Sequence, residues 1–191
     1  MLNQGVTAPS DWWTPIGWLK FRSSLPLWLR EQVGLWQAKA ADFATQLAEL
    51  DRKVARLSKG KQIPKGLGKL TAALLGSEVL DWHRFKNRRQ VASYTGLCPS
   101  EQSSGDKRKQ GSINKHGNPR VRHLLVEAVW RLEQWQPAYP PLKILLDASG
   151  TRNRKRAAVA VARRLAIDLW RIETGQCSAQ KLGLTLVKAA A

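Results

Sequence analysis

The sequence lacks the features of secreted, membrane-spanning and zinc-binding proteins. It contains no apolar run of about 18 residues that would cross a bilayer, and it does not begin with the cationic and then apolar order of a secretory signal. Its two cysteines, Cys98 and Cys177, stand far apart and outside any CxxC or His spacing that suits zinc. We therefore expect a cytoplasmic protein with free thiols, no membrane partner and no metal site on this chain.

Acidic residues are scarce. There are 14 Asp and Glu against 32 Lys and Arg, which gives a formal net charge of +18 and a pI near 10.7. This excess favours a nucleic-acid partner and says nothing about the fold. With about six phosphate contacts, affinity would fall roughly a thousandfold between about 50 and 200 mM salt. A hydrophobic content of 43% and nine tryptophans suffice for a folded core.

The first 60 residues combine a Trp-rich segment with a predicted helical arm. In residues 1–30, prolines interrupt a series of tryptophans, and few basic residues lie between them. This pattern favours packing of a short helix over base stacking. Residues 31–60 form either a coiled coil, which would give a homo-oligomer, or an amphipathic helix on its own domain. The apolar residues that recur here at spacings of three and four are Val33, Trp36, Ala40, Phe43, Leu47, Leu50, Val54 and Leu57.

Residues 61–83 look like a helix-hairpin-helix element. The turn that contains Gly66 and Gly68 precedes a predicted helix, and glycines let a backbone approach a phosphate closely. Free amides at a helix N-terminus attract anions, so we expect Gly66, Gly68 and Lys69 to grip duplex backbone without reading sequence. Lys65 intervenes where the commonest form has Pro followed directly by Gly, and an ordinary turn is the alternative.

The sequence predicts a compact helical domain over residues 84–175, followed by a tail over residues 176–191. Asn118-Pro119 is a typical helix start, and a second basic helix begins within residues 151–164, which contain no acid. Strand-like alternation does not recur. We therefore expect a mainly α fold, in which a long helical arm precedes a compact helical DNA-binding domain with a basic loop.

The most informative stretch is residues 93–126. Ser103 and Ser104 precede Gly105 at the head of a basic segment. A hydroxyl beside a flexible residue in a positive field is what attack on a phosphodiester requires, and a Ser-rich turn before a solvated loop is the alternative. The other side chains that we expect to bind nucleic acid are Arg88, Arg89, Lys107, Arg108, Lys109, Lys115, Arg120 and Arg122.

Three blocks make this region similar to the C-terminal domain of the insertion sequence 110, 116 and 902 group of transposases. They occur in the order and close to the spacings of that group. The blocks are IPKGLGKLTA at 63–72, RFKNRRQVASYTGLCP at 84–99, and SSG at 103–105 with GSINKHGN at 111–118 and residues 120–130.

The resemblance implies one part of a two-part enzyme. Transposases of this group join a RuvC-like domain, whose acidic site holds Mg²⁺, to a C-terminal domain that supplies a serine. The resemblance implies Ser104 as the nucleophile that forms a phosphoserine link to duplex DNA, with Ser103 as the less regular position. A guide RNA directs the better-understood members. Lys107, Arg108 and Lys115 would then neutralise phosphate charge.

The sequence departs from the group in having few acids ahead of the arm. Only Asp11 and Glu31 precede residue 40, too few carboxylates for a two-metal site. We therefore interpret the chain as the C-terminal part of such a transposase, with no cofactor of its own and inactive in cleavage without a RuvC-like domain. Two alternatives stay open: a non-catalytic DNA-binding remnant or regulator of transposition, and an RNA-binding module.

Overall fold

The computed structural model describes residues 5–104 and 107–188, with the side chains of residues 102–110 outside that description. The chain divides into two compact units, residues 1–53 and 54–191. The described ranges contain seven α-helices and four short strands, so the predicted mainly α fold is confirmed. No helix in these ranges has both the length and the apolar character to span a membrane.

The first unit is built on two consecutive helices, α1 (Pro15–Ser24) and α2 (Leu27–Ser58), the second of which continues past residue 53. Thr14 caps α1 by accepting a hydrogen bond from the Gly17 amide at 3.0 Å, and a proline suits the first helical position. The side chains that form the core of this unit are Phe21, Leu25, Leu29 and Val33, with Trp12 and Trp18 packed against them.

Helix α2 covers the predicted arm from residue 31 to Ser58 and leaves most of its apolar seam exposed. Val33 is buried in the first unit, whereas the large apolar side chains that follow it are not. Trp36, Phe43, Leu47, Leu50 and Leu57 are between 56% and 65% exposed. An apolar stripe with this periodicity normally faces other protein, so the stripe lacks a partner among the described residues.

The second unit is a helical core with two small two-stranded sheets at its surface. Short 3₁₀ turns at Trp82–Arg84, Pro140–Leu142 and Gln180–Leu182 connect its elements. In chain order the elements are β1 (Gln62–Pro64), α3 (Lys69–Val79), α4 (Arg88–Thr95), β2 (Pro99–Ser104), β3 (Lys107–Ile113), α5 (Pro119–Trp135), α6 (Lys143–Leu146), α7 (Thr151–Glu173) and β4 (Leu186–Lys188).

Helix α7 lies at the centre of this core. Its small side chains, Ala158 and Ala162 among them, are fully buried and let α4, α5 and α6 pack closely. One carboxylate, that of Asp168, is buried with them and is held by two donors: the Tyr139 hydroxyl at 2.8 Å and Nε of Arg164 at 3.0 Å. Burial, and then the nearby Asp168 charge, raises the pKa of Tyr139 far above its ordinary value of 10.0, so this hydroxyl stays a donor.

Two segments differ from the sequence interpretation. The predicted tail is part of the second unit, because Ala179, Leu182 and Leu184 are buried in its core and β4 pairs antiparallel with β1. The predicted basic loop contains an antiparallel hairpin, β2–β3. Hairpin pairing is a backbone property, and the polar side chains of this stretch give no apolar alternation that would reveal it.

A single glutamine joins the small β1–β4 sheet to α5. The buried side chain of Gln136 donates to the carbonyls of Lys65 and Thr185 at 3.0 and 2.9 Å, and it accepts from the Thr185 amide at 3.0 Å. The Thr185 carbonyl also accepts from the Lys65 amide at 2.8 Å, so the two backbone groups that depend most on this side chain are the Lys65 carbonyl and the Thr185 amide.

We predict that Gln136→Ala lowers the free energy of unfolding by about 2 to 3 kcal/mol, because buried backbone groups lose their partners. Urea unfolding followed by circular dichroism measures the change. The matched control is Gln134→Ala, at an exposed position in the last turn of α5, which we expect to change stability by less than about 0.5 kcal/mol. Equal effects of the two substitutions would contradict the role assigned to Gln136.

Candidate nucleic-acid interface

The candidate interface is organised by a close contact between two glycines. Helix α4 ends at Gly96, in the left-handed region at φ +65°, and Gly117 packs against that turn. A Cβ at Gly117 would collide with the Gly96 amide and the Tyr94 carbonyl. The Asn118 amide donates to that same Tyr94 carbonyl at 2.6 Å. The end of α4 and the start of α5 are therefore joined through their backbones.

The base of the β2–β3 hairpin is fastened to this junction. The Asn114 amide donates to the Cys98 carbonyl at 2.8 Å, and the Lys115 amide donates to the Gly96 carbonyl at 3.2 Å. At the other end of the hairpin, Ser104 is the last residue of β2 and pairs with Lys107, the first residue of β3. The backbone thus places Ser104 at the end of the hairpin that is farther from the junction.

Five predicted site residues are placed by backbone only. Their side chains lie outside the described residues, so no geometry is assigned to a hydroxyl or an ammonium group there. In register, Ser103 pairs with Arg108, and Gln102 pairs with Lys109. The five are Ser103, Ser104, Lys107, Arg108 and Lys109.

Arg122, which was predicted to bind nucleic acid, holds the junction together. Its Nη1 lies 3.2 to 3.5 Å from the carbonyl oxygens of Thr95, Lys115 and Gly117. These carbonyls belong to the end of α4 and to the loop before α5. A structural role for Arg122 is therefore evident, and nucleic-acid binding by this residue stays a prediction.

Glu78, at the end of α3, gathers the polar groups on the neighbouring side of the junction. Its carboxylate accepts from Nδ2 of Asn118 at 2.6 Å and from Nη1 of Arg120 at 3.1 Å. The Tyr94 hydroxyl donates to the Glu78 carbonyl at 2.6 Å. The hydrogen bond from Asn118, followed by that from Arg120, lowers the pKa of Glu78 below its ordinary value of 4.5. Glu78 therefore fixes Arg120, another predicted contact, while the Arg120 side chain stays largely exposed.

Two further groups of arginines lie around α4. The guanidinium of Arg84 lies over two rings, 4.7 Å from the Phe85 centroid and 4.6 Å from the Tyr94 centroid, which orients an exposed cation. Arg88 and Arg89 are exposed in the first turn of α4. In that turn the side chain of Asn87 already accepts from the amides of Arg89 and Gln90, at 3.0 and 3.1 Å. An anion would therefore meet the arginine side chains there and not those two amides.

The structure separates the glycine turn from the junction. Gly66, at φ +97°, packs on Trp135 at the end of α5, where a Cβ would lie 2.9 Å from the Trp135 Cβ. Gly68 caps α3 without a side-chain hydrogen bond, directly ahead of Lys69. Glu78 contacts the opposite end of α5, and α3 is about 15 Å long. The predicted contacts therefore form two groups at opposite ends of the α3–α5 pair.

Sequence reasoning missed the organising residues of the site. Glu78 was not among the predicted contacts, and its partner Asn118 lies 40 residues away in the chain; Arg84 counted only as one of several basic residues near the glycine turn. The only available signal was the block in which Arg84-Phe85 precedes Tyr94, a basic residue among aromatic ones. Within residues 5–104 and 107–188, no three His, Cys, Asp or Glu residues lie close enough together to hold a metal ion.

The chain is similar to insertion-sequence transposases. Residues 61–141 match the sequence profile of the transposase IS116/IS110/IS902 family. The chain is 31% identical over 147 residues to the transposase for insertion sequence element IS1111A of Coxiella burnetii, covering 72% of this chain and 39% of that protein. It is 30% identical over 112 residues to the transposase for insertion sequence element IS1328 of Yersinia enterocolitica, covering 57% of this chain and 33% of that protein. The Sinorhizobium fredii protein y4rJ is 38% identical to this chain over 112 residues, covering 56% of this chain and 28% of y4rJ. The chain thus spans about a third of the length of these curated relatives.

We predict that Glu78→Gln lowers the melting temperature at neutral pH and that the difference from the unaltered chain narrows in acid. A pKa lowered in the folded state means that the carboxylate stabilises the fold above about pH 4.5, and that this contribution is lost as the pH falls through the folded-state pKa. Thermal melts between pH 7 and pH 3 measure it. Glu127→Gln, which removes an exposed charge from α5, is the control. A difference that is the same at every pH would refute the ionic role of Glu78.

Proposed function

We propose that this chain is the DNA-binding part of an insertion-sequence transposase, because it belongs through residues 61–141 to the transposase IS116/IS110/IS902 family. In this proposal Ser104 is the nucleophile of DNA strand cleavage and exchange. The observation that carries it is that the matched range contains both Ser104 and the Gly96–Gly117 junction that fixes the base of its hairpin.

Ser104 would act by exchanging one phosphate ester for another. Its Oγ loses a proton and forms a bond to phosphorus, the bond from phosphorus to a sugar oxygen breaks, and that oxygen takes up a proton. Attack on the phosphoserine by a sugar hydroxyl of a second strand then joins that strand and restores the serine. Each step conserves the number of phosphate esters, so strand exchange needs no external energy source.

Positive charge around the hairpin would favour this reaction in two ways. Negative charge develops on the phosphate oxygens in the transition state, and nearby cations stabilise it. The guanidinium groups of Arg84 and Arg120 are anchored by side-chain contacts near the hairpin base. Anchored cations lose little conformational freedom when they meet a phosphate, so they suit binding of the duplex backbone. The same side chains would meet the backbone of a guide RNA.

The chain would need a second, acidic domain for cleavage. The described residues bring together no carboxylate set that fits Mg²⁺, and we assign no step to a metal held by them. A RuvC-like domain would supply Mg²⁺ chemistry at the scissile phosphate. The residues of this chain would then bind the duplex and present the serine.

The exposed seam of α2 supports self-association as part of this function. Five large apolar side chains on one face of a single helix lack a partner in the described residues. A second copy of the chain carries the same seam, and a homo-oligomer through the arm would cover both. Strand exchange between two DNA ends requires at least two serines, which a dimer provides.

We predict that a covalent protein–DNA adduct forms on supercoiled DNA with element ends only when Mg²⁺ and a RuvC-like domain of a related transposase are supplied. Ser104→Ala should abolish the adduct on denaturing gels, and Ser103→Ala, the matched control, should retain it. Adduct formation by Ser104→Ala would refute the assigned nucleophile. Duplex binding without an adduct under every condition would indicate a non-catalytic DNA-binding protein, and displacement by structured RNA with no duplex affinity would indicate an RNA-binding module.

We predict that Leu47→Glu converts the chain to a monomer at tens of micromolar, because it places charge within the seam at an exposed position where it does not disturb the fold. Thr45→Glu adds the same charge at an exposed position on the opposite face of α2 and should leave the oligomer intact. Sedimentation equilibrium measures both. A monomeric unaltered chain at this concentration would exclude self-association through α2.

A further inference from the structure

The two ends of the exposed seam on α2 are not alike. At the N-terminal end, a groove beside the seam is lined by Trp12, Leu29, Val33 and Trp36 and continues toward Phe43. At the C-terminal end, Leu57 is exposed and points from the helix without such a seat. One end of the helix thus offers an apolar recess and the other offers an apolar side chain.

The heptad positions show which arrangement of two copies would match these ends. In a parallel pair, each core position faces its own counterpart, whereas in an antiparallel pair the two kinds of core position face each other. We align the two antiparallel helices so that the residue numbers of each facing pair add up to 90. In this register Leu57 of one copy lies level with Val33 of the other. That level is where the groove lies.

The sizes of the seam residues also fit the antiparallel arrangement. A well-packed interface sets large side chains against small ones. In the parallel arrangement two tryptophans would face each other one layer away from two facing alanines, which leaves one layer crowded and the next hollow. In the antiparallel arrangement the facing pairs are Trp36 with Val54, Ala40 with Leu50, and Phe43 with Leu47.

The flanking charges oppose this choice only weakly. The antiparallel arrangement brings Lys39 near Lys53 of the second copy, whereas the parallel arrangement brings Lys39 near Ala44. An exposed pair of like charges weakens association by roughly twofold. A cavity the size of a leucine side chain, left unfilled at the interface, weakens association by roughly thirtyfold or more. Packing therefore outweighs the charges.

We infer that two copies of this chain pair through α2 in an antiparallel manner, with Leu57 of each copy seated in the Trp12–Trp36 groove of the other. This orientation rests on the self-association proposed above and adds its geometry. Three exposed positions on the outer face of α2, each seven residues from the next, report on it: Ala38, Thr45 and Arg52.

The test measures label-to-label distances in the full-length dimer. Nitroxide labels are placed one at a time through Ala38→Cys, Thr45→Cys or Arg52→Cys, in a chain whose Cys98 and Cys177 are replaced by serine. In the antiparallel dimer the labels at position 45 lie level with each other, and those at 38 and 52 are offset by 14 residues, about 21 Å along the axis. Distances should therefore be shortest at 45 and longer, by similar amounts, at 38 and 52.

The possible outcomes separate orientation from association. Equal distances at all three positions would show a parallel dimer and overturn the orientation alone. A monomeric chain would overturn self-association as well. As a second measurement, Lys53→Glu should tighten the antiparallel dimer about two- to fivefold because it then faces Lys39, while Arg52→Glu on the outer face serves as the control. An unchanged or weakened dimer with Lys53→Glu would count against the antiparallel pairing.

Discussion

The second unit depends on the close approach of Gly96 and Gly117. Only backbones that carry no Cβ come near enough for the Asn118 amide to reach the Tyr94 carbonyl and for the Lys115 amide to reach the Gly96 carbonyl. This contact sets where α5 begins, and α5 in turn covers the central helix α7. It also fixes the base of the hairpin that carries Ser104. One contact without side chains therefore relates the core to the proposed catalytic serine.

The few acids of this basic chain have an evident structural use. Glu78 holds Arg120, Glu133 accepts twice from Nη2 of Arg154 at 2.9 and 3.1 Å, and Asp168 accepts from Arg164 inside the core. The first pair links α3 to α5, the second links α5 to α7, and the third lies within α7. In a chain with such an excess of positive charge, they reduce repulsion at the points where helices meet and leave the surface strongly cationic. These three acids therefore tie three of the arginines to the fold.

Much of the helical architecture could be predicted from the sequence, because local signals encode it. The unbroken heptad pattern predicted α2, and Asn118-Pro119 predicted the start of α5, which Asn118 caps in the structure. Pairing between segments that lie far apart in the sequence could not be predicted. β1 and β4 pair across nearly the whole second unit, and nothing in either three-residue strand specifies the other. The hairpin was missed because its strands are rich in Lys, Arg, Gln and Ser, so its pairing follows from backbone geometry and not from an apolar face.

The candidate site was predicted by composition and not by arrangement. The sequence identified the cations, but it did not distinguish Arg122, which binds three carbonyls of its own fold, from Arg120, which stays exposed. Nor did it separate the Gly66 turn from the junction.

The hairpin that carries Ser104 has a mechanical consequence. Five residue steps along β2 separate Pro99 from Ser104, about 17 Å, so the strand is a lever pivoted at the glycine contact. A rotation of about 5° at the pivot would move the serine by about 1.5 Å, and an error of about 1 Å at a reacting atom can slow a reaction about a hundredfold. Substitutions near the pivot that the fold tolerates would therefore still impair the alignment of the proposed reaction.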